Sequence, residues 1–242
     1  MISAVIPALN EAKGLSQTLG QARSALGRDA ELIVVDGGSM DETVAVAERQ
    51  GARVIASPRG RGRQMNAGAA AASGDILLFL HADTLLPPDA GMLIQAAVAD
   101  PHVLGGNFQI RFDAPGALPR LFAAAYNRRS RRQRLFYGDS ALWGRRDVFA
   151  ALGGYRDATL MEDYALCLAL RAEARRRHPA LPLSVTLPLL NPPVVTSARR
   201  FHGKRGLALK MLATWSLLHL LYTLGASPEA LERRFYPPAG RT

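Results

Sequence analysis

Over the first hundred residues, short unbroken apolar runs alternate with longer stretches of helix formers. Residues 2–6, 31–35, 53–56 and 75–80 are rich in Val, Ile and Leu and are bounded by Pro, Gly or Asp, as strands buried on both faces are. Residues 11–26, 41–50 and 62–73 lie between or beside them and read as helices. The resulting β-α-β-α-β-α-β order predicts an α/β fold with a mostly parallel sheet and right-handed crossovers.

The second hundred is less regular. A strand is expected over 104–112, an arginine-rich helix over 119–133, helices over 146–152 and 162–177, and short strands over 183–188 and 193–197. Helices over 204–223 and 228–235 follow. No internal repeat or low-complexity linker divides the chain, so one architecture spanning 1–242 is expected, with segments 1–100, 101–200 and 201–242 as its parts.

Composition narrows the class. With 48% hydrophobic and 21% charged residues the chain is globular rather than disordered. One cysteine, Cys167, excludes an internal disulfide framework and fits a reducing compartment. Residues 1–9 are apolar but lack a basic leader, so no secretory signal is expected and the predicted location is cytoplasmic. Residues 207–224 are nearly long enough to cross a membrane. Lys210, Thr214, Ser216, His219 and Thr223 interrupt them, so a packed helix or one lying on a membrane surface is expected instead.

The net charge is +10, and only Lys13, Lys204 and Lys210 are lysines. Arginine carries a planar fork suited to phosphate, which points to nucleotides, nucleic acid or acidic lipid as partners. Residues 120–146 hold eight arginines against one acid, Asp139. That run is either a solvated face or a contact with anionic lipid or a phosphorylated acceptor, and it suggests peripheral contact with the inner face of a membrane.

Open α/β sheets bind ligands beyond the carboxyl ends of their strands. Pro7 to Glu11, Asp36 to Asp41, Arg59 to Arg63 and His81 to Asp83 occupy those ends. Together they supply carboxylates, glycines, arginines and a metal ligand, a set suited to a nucleoside diphosphate with a divalent cation. Each also has a plainer role. Asp36 fits a tight turn, Ser39 with Glu42 a capping box, Asn10 a helix cap, the arginines a basic loop, and Asp83 a cap before Pro87-Pro88. Glu162 and Asp163 open a helix, where acids favour the positive end of the dipole, or one of them protrudes as a general base. Cys167 has no evident partner and reads as core, and no two histidines stand at metal-ligand helical spacing. The turn after the first strand lacks Gly-x-Gly-x-x-Gly, which argues against a dinucleotide oxidoreductase. A nucleic-acid binder would explain the charge but ranks last, because the strand-end carboxylates repel phosphate unless a metal intervenes.

These motifs, in this order, resemble the inverting glycosyltransferases of family 2, which have the GT-A fold. The resemblance is carried by Val5 to Glu11, Val34 to Thr43, Gly62 to Gly68, Leu78 to Asp83 and Glu162-Asp163. The His81-Ala82-Asp83-Thr84 form and the segment Thr196 to Phe201 are similar to the short bacterial subgroup of radical-SAM/selenodomain-associated transferases.

The resemblance implies a donor-binding half over 1–100, an acceptor and catalytic half over 101–200, and C-terminal helices. Pro7, Asn10 and Glu11 would lie near the base, expected to be uracil, and Asp36 would hold the base or ribose. Gly38, Arg63, Asn66, His81 and Arg200 would complete the donor site. Asp83 would bind Mg²⁺ or Mn²⁺, and Asp163, with Glu162 beside it, would be the base that deprotonates the acceptor. The acceptor stays open among a lipid phosphate, a glycan, a peptide and a metabolite. Most of the family has Asp-x-Asp where this chain has His81-Ala82-Asp83, so a catalytically degenerate nucleotide-sugar-binding scaffold or sensor is the alternative.

Overall fold

The computed structural model describes residues 1–158, 160–198, 214, 217, 218, 220–222 and 224–235. Its sheet is built outward from β1 (Ile2–Ala8), which pairs in parallel with β2 (Glu31–Asp36) on one side and β4 (Ile76–Phe79) on the other; β3 (Arg53–Ala56) extends β2. Helices α1 (Ala12–Leu26), α2 (Thr43–Arg49) and α3 (Arg61–Ala71) make the crossovers. The apolar runs read as two-sided strands because they face two separate cores. Ala4, Ile6, Leu32, Val34 and Leu78 pack with Leu15 and Leu19 of α1 and with Ala90 and Ile94 of α4 (Ala90–Val98). Val5, Ile33, Val35, Leu77 and Phe79 pack with Met65 of α3 and with residues of α7 (Glu162–Arg177). Period-two alternation thus sorts each strand between two helical layers.

The full order is β3-β2-β1-β4-β7-β6-β8-β5, with β5 at Thr84–Leu85, β6 at Gly105–Phe112, β7 at Leu142–Arg145 and β8 at Leu189–Thr196. Strand β7 runs antiparallel to β4 and β6, and there the parallel half ends. Helices α5 (Ala117–Gln133) and α6 (Arg146–Ala151) and the helix Pro228–Phe235 fall where the sequence predicts them.

The strand expected over 183–188 is not formed. Those residues alternate apolar and polar, but Leu183–Thr186 makes a single helical turn, α8, launched from Pro182. That turn seats Thr186 and Leu187 in the interior, and the Thr186 carbonyl accepts the Leu104 N–H at 2.9 Å. The strand expected over 193–197 is the second half of β8, which starts at Leu189; its first half is hidden because Pro192 and Pro193 lack the N–H a ladder uses. Pairing with β6 is accordingly irregular between Phe108 and Ile110. The 204–223 helix and most of the 207–224 stretch lie outside the described residues; among those described, no helix is long and apolar enough to cross a membrane.

Candidate active site

The carboxyl ends of β1 and β2 are tied by polar groups rather than capped as the sequence suggests. Asp36, 8% exposed, accepts the N–H groups of Gly38 and Ser39, each at 3.0 Å, and so shapes its own turn. Asn10, at φ 56°, does not cap α1: its Oδ1 accepts the Met40 N–H at 2.8 Å and its N–H donates to Ser39 Oγ at 2.9 Å. The Ser39–Glu42 capping box is absent as well, since Ser39 is engaged by Asn10 and Asp41 Oδ1 takes the Thr43 N–H at 3.0 Å. Glu11 donates its N–H to Thr43 Oγ1 at 2.8 Å, and Pro7 sits within β1 opposite Val35. Beneath them the buried Gln64 amide donates to the carbonyls of Ala8 and Val35 at 2.9 and 2.8 Å, fixing the spacing of the two strand ends.

The start of α3 meets the loop 155–157. A Cβ on Gly62 would lie 2.7 Å from the Arg156 carbonyl oxygen, so only glycine lets the two segments approach this closely. The residues flanking it then turn opposite ways. Arg63 makes a two-pronged, exposed pair with Asp157 at 2.6 and 2.8 Å. Arg61 reaches inward to Glu162 at 3.3 Å. Asn66 brackets the Tyr155 backbone, accepting its N–H at 2.9 Å and donating to its carbonyl at 2.8 Å. Arg63 and Asn66, expected at the donor, thus have protein partners, while Arg61, itself partly exposed, reaches the buried carboxylate of Glu162.

Glu162 is only 3% exposed. Burial first, then the charge of Asp163, push its carboxyl up to about 7, against the pull of Arg61. Because the folded-state value exceeds the unfolded 4.5, this group stabilises the fold least when ionised; its contribution is greatest below the unfolded value and is lost as pH rises toward about 7. The loss is roughly 3 kcal/mol at most. Glu162→Gln should therefore show a flatter melting temperature between pH 5 and 7.5 than the parent chain. Parallel curves for the two proteins would remove Glu162 from that dependence.

Asp163, one residue on, is half-buried at the first turn of α7. Its Oδ2 accepts the Gly138 N–H at 2.8 Å and its Oδ1 the Tyr164 N–H at 2.7 Å. A Cβ on Gly138 would stand 2.6 Å from His81 Nε2 and 3.6 Å from Asp163 Oδ2, so His81, Asp163 and the 3-10 turn Gly138–Ser140 share one small volume. Asp83 follows in the turn between β4 and β5. That turn is closed by the Thr84 N–H on the His81 carbonyl at 3.1 Å and pinned to β8 by Thr84 Oγ1 on Thr196 Oγ1 at 3.2 Å. Arg200 lies outside the described residues.

Among the described residues no group of three or more His, Cys, Asp and Glu could hold a metal ion unaided. Asp83 suits a different kind of site, in which Mg²⁺ or Mn²⁺ takes one carboxylate from the protein and the rest of its shell from substrate phosphates and water. The donor set fits that arrangement.

Gly138, Tyr137 and Arg129 were not singled out by sequence reasoning; their roles depend on a turn between α5 and β7 that no local pattern marks. The arginine run divides accordingly, with Arg128, Arg131 and Arg132 exposed and Arg129 turned inward. Cys167 is fully buried, and burial pushes its thiol up to about 12, as a core residue requires.

A parallel nucleotide-binding-type half continued by an antiparallel β7, with acids at the ends of β2 and β4 and at the start of α7, is the architecture of GT-A glycosyltransferases. Residues 3–153 match the profile of Glycosyl transferase family 2, and the chain belongs to that family. An uncharacterised glycosyltransferase of Mycobacterium bovis is 38% identical over 93 residues, 38% of this chain and 40% of its own length. Glucosyl-3-phosphoglycerate synthase of Mycobacterium tuberculosis is 35% identical over 96 residues, 36% of this chain and 30% of its own. The chain therefore matches well under half of these curated relatives. Among solved structures, that synthase with Mn²⁺ and UDP-glucose aligns with a TM-score of 0.60 and 21% identity, covering 94% of this chain and 80% of the other. A mannosyltransferase of Pyrobaculum calidifontis with GDP-Man and Mn²⁺ aligns with a TM-score of 0.62 and 20% identity, covering 98% and 69%. At those identities the shared property is the fold.

Proposed function

We propose that this chain transfers a sugar, with inversion, from a nucleoside-diphosphate sugar, a UDP-sugar first, to an acceptor hydroxyl. The observation that carries the reading is the meeting of Asp163, Gly138 and His81 at the carboxyl end of β4, one turn from Asp83. Asp163, oriented by two backbone N–H groups, takes the proton of the acceptor hydroxyl, and the oxygen attacks the anomeric carbon from the face opposite the leaving diphosphate. Asp83 would hold Mg²⁺ or Mn²⁺, which when bound offsets the charge that builds on the leaving group. His81 accepts a ribose hydroxyl in place of the first acid of Asp-x-Asp, while Glu162 fixes Arg61 behind the base.

Pro7, Asn10, Glu11, Asp36 and Gly38 form the floor for the base and ribose, and Arg200 assists from the C-terminal side. The His-Ala-Asp-Thr run and the Thr196 to Phe201 segment support membership of the short radical-SAM/selenodomain-associated subgroup. The exposed Arg128, Arg131 and Arg132 support peripheral contact with an anionic membrane from the cytoplasmic side.

The test is a thermal-shift panel of UDP, GDP, CDP and dTDP with and without Mn²⁺. One nucleotide, UDP by expectation, should raise the transition only with the metal. At about 100 times its dissociation constant the gain is about 2.7 kcal/mol, several degrees for a chain of this size. No shift with any nucleotide would sink the donor assignment. A shift without any release of UDP from UDP-glucose would favour the scaffold reading that His81 suggests.

A further inference from the structure

Arg129 is held as a tool is held in a vice. Its Nη1 donates to Tyr137 Oη at 2.9 Å, and its guanidinium carbon lies 4.5 Å from the Tyr137 ring centroid and 5.9 Å from that of Tyr126. The vice is itself locked, because Tyr126 Oη accepts the Tyr137 N–H at 2.8 Å. The opposite edge of the same guanidinium is different: Nε and Nη2 are buried and make no hydrogen bond among the described residues. Elsewhere in this protein that edge grips carboxylates. Arg63 uses it on Asp157 at 2.6 and 2.8 Å, and Arg176 on Glu173 at 2.8 and 2.6 Å. A buried cationic donor pair without an acceptor is costly, and such pairs in native proteins are completed by a ligand, an ion or an ordered water.

A second arginine faces the same region. Arg171 sits two turns beyond Asp163 on α7, and its Nε is likewise buried without a hydrogen-bond partner among the described residues. The charges of Arg129 and Arg171 are both felt at Tyr164 and Cys167, and the Tyr137 and Tyr164 rings lie 6.0 Å apart. Both guanidiniums thus act on the Tyr164–Cys167 stretch of α7, and neither makes an ion pair among the described residues. Tyr137 directly precedes Gly138, whose N–H orients Asp163, so the patch adjoins the base.

We propose that the acceptor carries a phosphate group, gripped bidentately by Arg129 and neutralised jointly with Arg171, which presents the acceptor hydroxyl to Asp163. This rests on the transferase reading above. Two positive charges match a dianionic phosphate ester, whereas a carboxylate would neutralise only one of them. Soluble phosphate esters and polyprenyl phosphates both offer this chemistry.

The probe is inorganic phosphate, titrated by thermal shift in metal-free buffer and again with UDP and Mn²⁺ saturating, so that the donor site is filled. The parent chain should respond in both conditions. Arg129→Gln should raise the apparent dissociation constant at least ~10-fold, the scale of a lost charge-assisted pair, while its response to UDP and Mn²⁺ shows that it is folded. Arg171→Gln, outside the tyrosine vice, should weaken phosphate in the same direction, and Arg28→Gln, exposed beyond the end of α1, should not. No response of the parent chain to phosphate, or a parent-like response from both Arg129→Gln and Arg171→Gln, overturns the proposal. If phosphate binds but no nucleotide does, the transferase reading fails and the acceptor role fails with it, a result separable from loss of the oxyanion site. Competition by glycerol 3-phosphate against farnesyl phosphate in detergent then tells a soluble acceptor from a lipid one.

Discussion

Asp163→Asn should leave nucleotide binding intact and lower turnover by at least ~100-fold, the usual scale for loss of a general base. The geometry makes this substitution informative. An amide can accept from only one of the two N–H groups that hold the carboxylate, Gly138 or Tyr164, so a modest loss of orientation accompanies the loss of the base. Turnover is read as UDP released from UDP-glucose, with water as the acceptor where no other is supplied, and the metal-dependent UDP shift is measured on the same sample. The expected pattern is an unchanged shift and a collapsed rate. A variant that released UDP at most of the parent rate would take Asp163 out of the mechanism, and buried Glu162, already paired with Arg61, could not easily replace it.

Asp83→Ala should abolish the Mn²⁺-dependent part of nucleotide binding, about 2.7 kcal/mol at saturation near 100 times the dissociation constant. The turn that carries Asp83 is held by the Thr84 N–H on the His81 carbonyl and by the Thr84–Thr196 contact, both of which the variant keeps. His81 is the other donor type in that turn, and imidazole is a poor ligand for Mg²⁺ beside a carboxylate. A UDP shift that still grew on adding Mn²⁺ as it does in the parent would mean that the metal sits elsewhere.

How legible all this was in the sequence depends on what each feature needs. The parallel half could be read because β1, β2 and β4 are covered on both faces, and two cores leave an unbroken apolar run. Strand β7 has only Leu142 and Trp143 to announce it before Gly144 and Arg145, and the first half of β8 is disguised by its prolines while the stretch from 193 was legible. The 183–188 segment carries strand-like alternation that a single turn after Pro182 overrides. In the site, Asp36, Asp83, Glu162 and Asp163 stood out because strand ends and a helix start are places a linear pattern can mark. The choice of Arg61 over Arg63 could not be read, since it follows from which way each points once Gly62 lies against Arg156. The inward turn of Arg129 from a run of arginines depends on Tyr137, which is in place only when the chain is folded.

The ties that close the site have an implication for the order of events as the chain folds. Arg61 meets Glu162 across 101 residues, Arg63 meets Asp157 across 94, and Asn66 meets Tyr155 across 89. A nascent chain emerging from its N-terminus can complete β1 to β4 and their crossovers from residues 2–79 alone, long before α7 has been made. Only later can the distant partners arrive and close loops of that size against the entropy of the intervening chain. The carboxylates that open α7 are thus delivered late, onto a platform whose strands β1 to β4 have already been made.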